Sequence, residues 1–387
     1  MEDLKIKDIR ASQNKQQKIA LNSWAKNGFI GSVIAGTGFG KSRIGVLAIG
    51  HALRDGGNAL LLVPTIQLQD QFLDEFDKWN VDTTNVEIVC YQSAYKLKDK
   101  EYTIVVCDEI HLGLSLEYRK FFVNNTYEKL LCMTATLPEE PEYKVKLHML
   151  APTVYQITLD ECVKLKIVAP YNIYCKPIKL TPGEAEEYKE INNSFVYFKY
   201  KLGGIDAFSE AQRIMKNQFA IGEERANAAQ FYKSIRERKK IVDFAYNKIE
   251  EFQKLAADNL DKKILVFSGA NDFTDKLADS VDPLAVVYHS KKSKKQKQHA
   301  LDSFKDGTHN ILCSTKALNQ GFDVPNANMG VICGLTSKSL SMIQRVGRLI
   351  RFQKGKVGNI YILYVEDSQE EKWLRQSVKD LNNINWL

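Results

Sequence analysis

Two parallel-sheet α/β lobes in tandem, with a mostly helical insert between them, are the fold class that this sequence predicts. Three observations carry the prediction. Residues 1–165 alternate short apolar runs with amphipathic stretches, the same alternation returns over 262–365, and the residues between are rich in Glu, Lys, Ala and Gln. Apolar strands separated by helical segments imply a parallel sheet covered by helices on both faces. At 387 residues the chain exceeds the size at which one hydrophobic core usually keeps growing, so more than one domain is expected.

In the first lobe, 32–35, 59–64, 86–90, 104–107 and 130–134 read as buried strands, and 42–53 and 66–79 carry helical spacing. In the second, 263–267, 285–288, 310–314, 329–333 and 359–364 are the apolar runs. Residues 166–261 read as linker and insert, helical over 181–259 with Pro182 near the start. Residues 366–387 read as an amphipathic C-terminal helix whose Trp373 and Trp386 either pack on the second lobe, the favoured reading, or engage a partner.

Composition narrows the class of protein. Seven cysteines are scattered without a CxxC pair, and an odd number cannot all be bridged internally, which suits a reducing compartment. The first residues are polar where a signal peptide needs an apolar run, and no stretch approaches 18 consecutive apolar residues. A cytoplasmic, non-membrane protein is expected. The net charge of +7, from 54 Lys plus Arg against 47 Asp plus Glu, suits a polyanionic partner without demanding one.

The strand at 32–35 runs into Gly36-Thr37-Gly38-Phe39-Gly40-Lys41-Ser42 and then a helix. Such a turn points several backbone N–H groups, and the positive end of the helix dipole, at a phosphate. Lys41 would reach the β- and γ-phosphates of a nucleotide and Ser42 would ligate Mg²⁺. A chance glycine-rich turn is the bland alternative, and the flanking strand and helix weigh against it. The strand ending at Cys107 leads into Asp108-Glu109-Ile110-His111, a carboxylate pair where open parallel sheets bind ligands. Asp108 would hold the hydrated Mg²⁺ and Glu109 would orient and deprotonate the attacking water. His111 reads as a coupling contact. Thr134-Ala135-Thr136 follows the next strand, its two hydroxyls placed to hydrogen-bond the acid pair.

In this order and spacing, these segments resemble motifs I, II and III of the superfamily 2 helicases of the DExH type. The resemblance implies two RecA-like lobes sharing one ATP site, with ATP and Mg²⁺ as cofactors. Ala35 stands where the first glycine of motif I is usual. Arg10-Ala11-Ser12-Gln13 resembles the Arg-x-x-Gln element that reads adenine. Pro64-Thr65-Ile66-Gln67 resembles motif Ia and Tyr91-Gln92-Ser93 motif Ic, implying nucleic-acid backbone contacts from Pro64, Thr65, Gln67, Gln92 and Ser93, although Cys90 replaces a usual threonine. Ser268, just past a second-lobe strand, is assigned to the same group. The segment from Ser314 to Pro325 resembles motif V, in which Thr315 touches a phosphate and Gly321 and Asp323 approach ATP. Gln344-Arg345-Val346-Gly347-Arg348-Leu349-Ile350-Arg351 resembles motif VI. Gln344, Arg348 and Arg351 are thereby implied in catalysis. Arginines three apart share one helix face, and such fingers are worth about 10³ to 10⁵ in rate.

The overall pattern is most similar to the UvsW-type and XPB-type branch, whose members remodel forked or branched DNA. DNA is therefore the preferred partner, RNA stays open, and the oligomeric state is left open, a monomer being compatible. Host cytoplasm is expected if the chain is phage-encoded. The separate N-terminal substrate-recognition domain of such relatives has no counterpart here. Two features of the chain itself bear on nucleic acid. Lysines 291, 292, 294, 295 and 297 crowd a helix start, and the run from Phe195 to Lys201 interleaves aromatics with lysines. Stacking on bases and ordinary core packing both fit the second run. Arg236, Arg238, Lys239 and Lys240 form another basic stripe. A double-strand translocase that does not unwind, and a non-motor ATP switch that clamps nucleic acid, are the competing readings.

Overall fold

The structure is a computed structural model that describes residues 2–138, 140–217, 219–315, 327–336, 357–379 and 381–387, with 2–10 by their backbone alone. Both expected sheets are present and every strand pair in them is parallel. The first contains β1 (Ile30–Ala35), β2 (Ala59–Val63), β3 (Val86–Cys90), β4 (Glu101–Cys107), β5 (Thr126–Thr134) and β6 (Thr153–Ile157), in the order β3-β2-β4-β5-β1-β6. Its central strands are buried on both faces: β2 has no exposed residue. That is why β2 reads as an unbroken apolar run instead of an alternation. Helices α1 (Glu2–Lys26), α2 (Lys41–Ala52), α3 (Ile66–Lys78), α4 (Tyr91–Ala94), α5 (Lys120–Asn124) and α6 (Pro141–Leu150) surround it.

A short helix, α7 (Leu159–Lys164), opens with a capping box from Thr158 and Glu161 and leads to the second lobe. There β7 (Tyr171–Ile178), β8 (Ile264–Phe267), β9 (Ala285–Tyr288), β10 (Ile311–Ser314), β11 (Met329–Ile332), β12 (Gly358–Val365) and β13 (Ile384–Trp386) form one sheet, ordered β13-β7-β12-β11-β8-β10-β9. Two sequence boundaries are corrected by this sheet. Residues 171–178, assigned to the linker, are a strand paired with β12 along its whole length. Residues 366–387 are one helix, α14 (Gln369–Ser377), followed by β13 on the edge of the sheet. Leu374, Val378 and Leu381 are buried in the core there, whereas Trp386 is 42% exposed.

The insert consists of α8 (Pro182–Lys201), α9 (Ala207–Lys216) and α10 (Gly222–Asp243). It has its own small core of Leu202, Ala207, Ala211, Ile214, Ala228 and Phe231. The next helix, α11 (Tyr246–Ala257), packs Phe252 and Ala256 into the core under β8 and β10 and so belongs to the second lobe. Among the described residues, α12 (Asn271–Asp279) and α13 (Lys294–Asp306) also flank that sheet, and α13 is capped by Ser293 and Gln296. A buried ion pair ties α11 to α14: Lys248 Nζ lies 2.8 Å from Glu370 Oε2, both side chains without solvent exposure. No helix among the described residues is long and apolar enough to cross a membrane.

Candidate nucleotide site and nucleic-acid face

Because β5 lies between β1 and β4, the segments that leave these three strands meet at one edge of the first sheet. The loop after β1 turns on Gly38 and Gly40, at φ of 90° and 86°, a region where L side chains are strained. A Cβ at Gly38 would lie 2.8 Å from Val168, and one at Gly40 would lie 2.4 Å from Gln17 Nε2. The loop is thus walled by the interlobe segment on one side and by α1 on the other. Lys41 opens α2, and its Nζ donates to the Ala35 carbonyl at 2.9 Å, back across the loop. Half-buried Ser42 follows in the first turn.

The carboxylate pair is held by main-chain contacts on both sides. Asp108 N donates to Leu62 O at 2.9 Å, Ile110 N donates to Met133 O at 3.0 Å, and the buried Tyr91 phenol donates to Asp108 O at 2.9 Å. Between these anchors Glu109 adopts φ of 50°, a left-handed conformation uncommon outside glycine. Strain of this kind persists only where the surroundings enforce it, and it clusters at functional sites. Burial, then the charge of Glu109, pushes the Asp108 carboxyl up to about 7, against the pull of Lys41. Burial also acts to raise Glu109, but the hydrogen bond from His111 and the charge of Lys41 hold it below its ordinary value. Two adjacent carboxyls are therefore driven apart, the pattern that assigns acid and base roles.

His111 Nδ1 stands 3.3 Å from Glu109 Oε2. The Thr134 hydroxyl lies 3.4 Å from the same oxygen, 3.2 Å from Thr136 O and 3.3 Å from His111 Nδ1. Thr134 thus reaches the acid pair through its hydroxyl, whereas Thr136 enters the network through its carbonyl. These residues fit a magnesium nucleotide. A buried acid pair faced by one lysine leaves negative charge for a divalent cation to offset. Among the described residues no cluster of three or more His, Cys, Asp or Glu could hold a metal, and Mg²⁺ usually takes one or two carboxylates with phosphate and water oxygens.

Gln13 lies beside this loop, its Nε2 donating to Gly38 O at 3.2 Å and Phe39 O at 3.1 Å. Arg10 is in α1, described by its backbone alone. Gly321, Asp323, Gln344, Arg348 and Arg351 lie outside the described residues. Thr315 follows β10 and is nearly buried.

The residues expected to meet nucleic acid divide. Gln92 Nε2 donates to Pro64 O at 3.2 Å, which joins the two motif-like segments, and Gln67, Gln92 and Ser93 are exposed. Thr65 sits at the N-cap of α3 with its hydroxyl buried and without a partner. The Gln67 side chain hydrogen-bonds the Tyr288 phenol at the end of β9, linking the lobes. Ser268 is a correction. It is fully buried, its hydroxyl 2.9 Å from Ala270 O and 2.6 Å from Thr274 Oγ1, so it braces the start of α12 and is closed to a backbone phosphate.

The basic stripe on α10 is corrected in part. Arg238 is 8% exposed, its guanidinium 4.1 Å from the Phe195 ring centroid, and Lys239 is paired with Asp243 at 2.6 Å. In the lysine-rich start of α13, Lys291 and Lys292 pair with Asp272 and Asp275, while Lys294, Lys295 and Lys297 have no ion-pair partner among the described residues. The aromatic run divides. Phe195 and Phe198 pack on the insert core, whereas Tyr197 and Tyr200 are 54% and 81% exposed beside Lys199 and Lys201. Gln17 and Arg43, which frame the phosphate loop, were not singled out from the sequence. The available signal was the four-residue step from Gln13 to Gln17, which stacks them on one face of α1.

Comparison with known proteins follows this geometry. Residues 14–103 match the DEAD/DEAH box helicase family, and residues 247–353 match the helicase conserved C-terminal domain. The chain is 24% identical over 355 residues to the DNA 3'-5' translocase XPB2 of Sulfurisphaera tokodaii, covering 87% of this chain and 77% of that protein. It is 23% identical over 338 residues to the pre-mRNA-splicing ATP-dependent RNA helicase PRP28 of Saccharomyces cerevisiae, covering 84% of this chain but 52% of that protein. A 51.5 kDa protein of a Lactococcus phage is 22% identical, over 80% of this chain and 60% of its own. Among solved structures, the Hef helicase domain of Pyrococcus furiosus superposes with a TM-score of 0.53 at 16% identity, over 93% of this chain and 98% of that one. Two tandem RecA-like lobes carrying these two domains, in this order, indicate a superfamily 2 helicase, an ATP-dependent enzyme acting on nucleic acid.

Proposed function

We propose that this chain is a helicase or translocase of the DExH type that remodels forked or branched DNA and draws on ATP hydrolysis at the edge of the first sheet. The observation that carries the ATP half is the acid pair: Asp108 raised, Glu109 lowered and held by His111 and Thr134, across β5 from Lys41. The loop amides and Lys41 bind the phosphates, and Gln13 adds an adenine contact together with Arg10. Ser42 and Asp108 would hold Mg²⁺, which supplies charge neutralisation at the β- and γ-phosphates. Glu109, ionised and oriented by its two neighbours, takes the proton of the attacking water. His111, Thr134 and Thr136 pass the state of the acid pair to the second lobe. Gly321, Asp323, Gln344, Arg348 and Arg351 are assigned to the facing side of the same site by the motif resemblance, so that hydrolysis requires the lobes to meet.

DNA is favoured over RNA because the relative named as a DNA translocase aligns over more of both chains than the RNA helicase does. Pro64, Thr65, Gln67, Gln92, Ser93 and Thr315 are the proposed backbone contacts. Tyr197 and Tyr200, exposed among lysines on the insert, would stack on unpaired bases at a fork. The testing experiment measures ATP hydrolysis with single-stranded, duplex and forked DNA and with RNA, at one salt concentration, because phosphate contacts make binding salt-dependent. Forked DNA is expected to stimulate most. Equal rates with and without every nucleic acid would leave an ATP switch in place of a motor, and stimulation by RNA alone would overturn the DNA assignment. Strand displacement beside triplex displacement separates unwinding from double-strand translocation.

A further inference from the structure

The insert carries an apolar groove that ATP hydrolysis and strand contact leave unused. Helix α9 turns Ala207, Ala211 and Ile214 into the insert core. Its opposite face carries Phe208, Gln212 and Met215, at steps of four and three residues, and Phe208 and Met215 are both exposed. On α10, Ala229, Tyr232 and Arg236 share one face in the same way. The two faces enclose a groove of about 320 Å³, lined by Met215, Ala229 and Tyr232, with Lys216 contributed by one helix and Arg236 by the other. That volume lies at the lower end of the range that takes a ligand, about 300–1,000 Å³.

The charges decide what such a groove accepts. Other cations on these two helices are neutralised in place, Arg213 by Glu210, Lys233 by Glu237 and Lys239 by Asp243. Lys216 and Arg236 are exposed and have no ion-pair partner among the described residues. Two such cations beside an apolar lining complement a ligand that brings carboxylates and an apolar side chain together. The lining also discriminates between polyanions. Unpaired nucleic acid gains affinity from open ring faces on which bases stack. Here a thioether and a methyl group make up most of the apolar lining, and the one ring, Tyr232, is half-buried against Phe231. Methionine adapts to the side chain it meets, and methionine and arginine are both enriched where proteins touch.

We propose that the groove between α9 and α10 docks an acidic peptide segment of another protein. An apolar side chain of that segment seats against Met215 and Tyr232, and its flanking carboxylates pair with Lys216 and Arg236. This gives the insert a protein partner, beyond its part in nucleic-acid remodelling. Exposed ion pairs contribute little singly and are screened by salt, so the contact is transient, of micromolar affinity, and depends on the apolar anchor as much as on the charges.

The test titrates the full chain, by fluorescence anisotropy, with the fluorescein-labelled peptide Asp-Glu-Asp-Leu-Phe-Asp-Glu. Micromolar binding that weakens with salt is expected. Exchanging Leu-Phe for Ser-Ser, or the acids for their amides, should abolish most of it. Lys216→Glu and Arg236→Glu should each weaken it about tenfold, because reversal sets like charges together, and Ala229→Trp should block it by filling the groove. These three residues face solvent, so the melting temperature should hold. The double reversal should also gain affinity for the same peptide carrying lysines in place of its acids, a gain that misfolding cannot produce. Labelled oligothymidylate should bind wild type and all variants alike. Absence of peptide binding to wild type at millimolar concentration overturns the proposal, as does binding indifferent to Leu-Phe or to Ala229→Trp. A parallel loss of oligothymidylate binding in the reversed variants overturns it too, and makes the groove a nucleic-acid contact.

Discussion

Replacing Lys248 with methionine measures what secures the end of the chain and the helix after the insert to the second lobe. The ammonium donates to Val242 O at 2.8 Å, to Cys333 O at 2.8 Å, and to both oxygens of Glu370 at 2.9 and 2.8 Å, with no solvent access to either side chain. Methionine keeps most of the stem and removes all four contacts. Glu370 then retains the Val365 amide and faces no charge. Breaking a buried pair by removing one partner costs about 3–5 kcal/mol. Burial already raises the Glu370 carboxyl, with Lys248 opposing it, so the stranded acid takes up a proton and holds the cost within that range.

For a body of 150–250 residues each kcal/mol shifts the melting point by about 2–4 °C, which gives a fall of about 6–20 °C. Thermal unfolding, with hydrogen exchange followed in α11 and α14, reads it without assuming that both lobes melt together. The sign with pH is also determined. A carboxyl whose folded value is raised contributes most below the unfolded value near 4 and loses that contribution as pH rises, so the deficit is larger at pH 8 than at pH 5. Pairing Lys248→Met with Glu370→Met should regain at least half of the loss, because an apolar pair often replaces a buried ion pair at little cost. A single variant that melts within 2 °C of wild type, or a double variant no better than the single one, refutes this reasoning.

Three further outcomes are expected. Glu109→Gln should lower single-turnover ATP hydrolysis by about 10² to 10⁴ while leaving equilibrium nucleotide binding in place; Lys41→Ala should lose both. Asp108, raised to about 7 by burial first and Glu109 second, holds its proton more tightly folded than unfolded. Its contribution to stability is complete below about 4 and is lost as pH rises through 7, so the nucleotide-free protein should melt lower at pH 8 than at pH 6, and Asp108→Asn should remove that part of the slope. Tyr197→Ala and Tyr200→Ala should each weaken forked-DNA binding by about 1–3 kcal/mol, the worth of one base stack, without moving the melting point; equal binding by titration of labelled forks would show that these rings do not meet bases.

The candidate nucleotide site was legible where its parts are contiguous. Strand, glycine turn, lysine and helix follow one another from β1 into α2, and Asp108 and Glu109 sit directly after the apolar run of β4, so local pattern locates them. The first lobe's β6 and the second lobe's β7 were missed for physical reasons. Neither is a continuous apolar run, and Pro177 near the end of β7 argues against a strand, although the pairing of β7 with β12 carries it. Three residues of β13 are too few to show a period. Ser268 was misjudged because sequence locates a hydroxyl but not its direction, and here Ala270 and Thr274 engage it.

The sequence by itself determined the parallel α/β lobes, the helical insert, the glycine turn before α2 and the acid pair after β4, since hydrophobic period and turn chemistry are properties of neighbouring residues. Tertiary structure alone decided that β5 stands between β1 and β4, that Gln17 faces the loop with Arg43 behind it, and that Lys248 meets Glu370 across 122 residues of chain. Strand order and buried polar pairing are settled by which distant surfaces exclude water together, and no local stretch of chain carries that information.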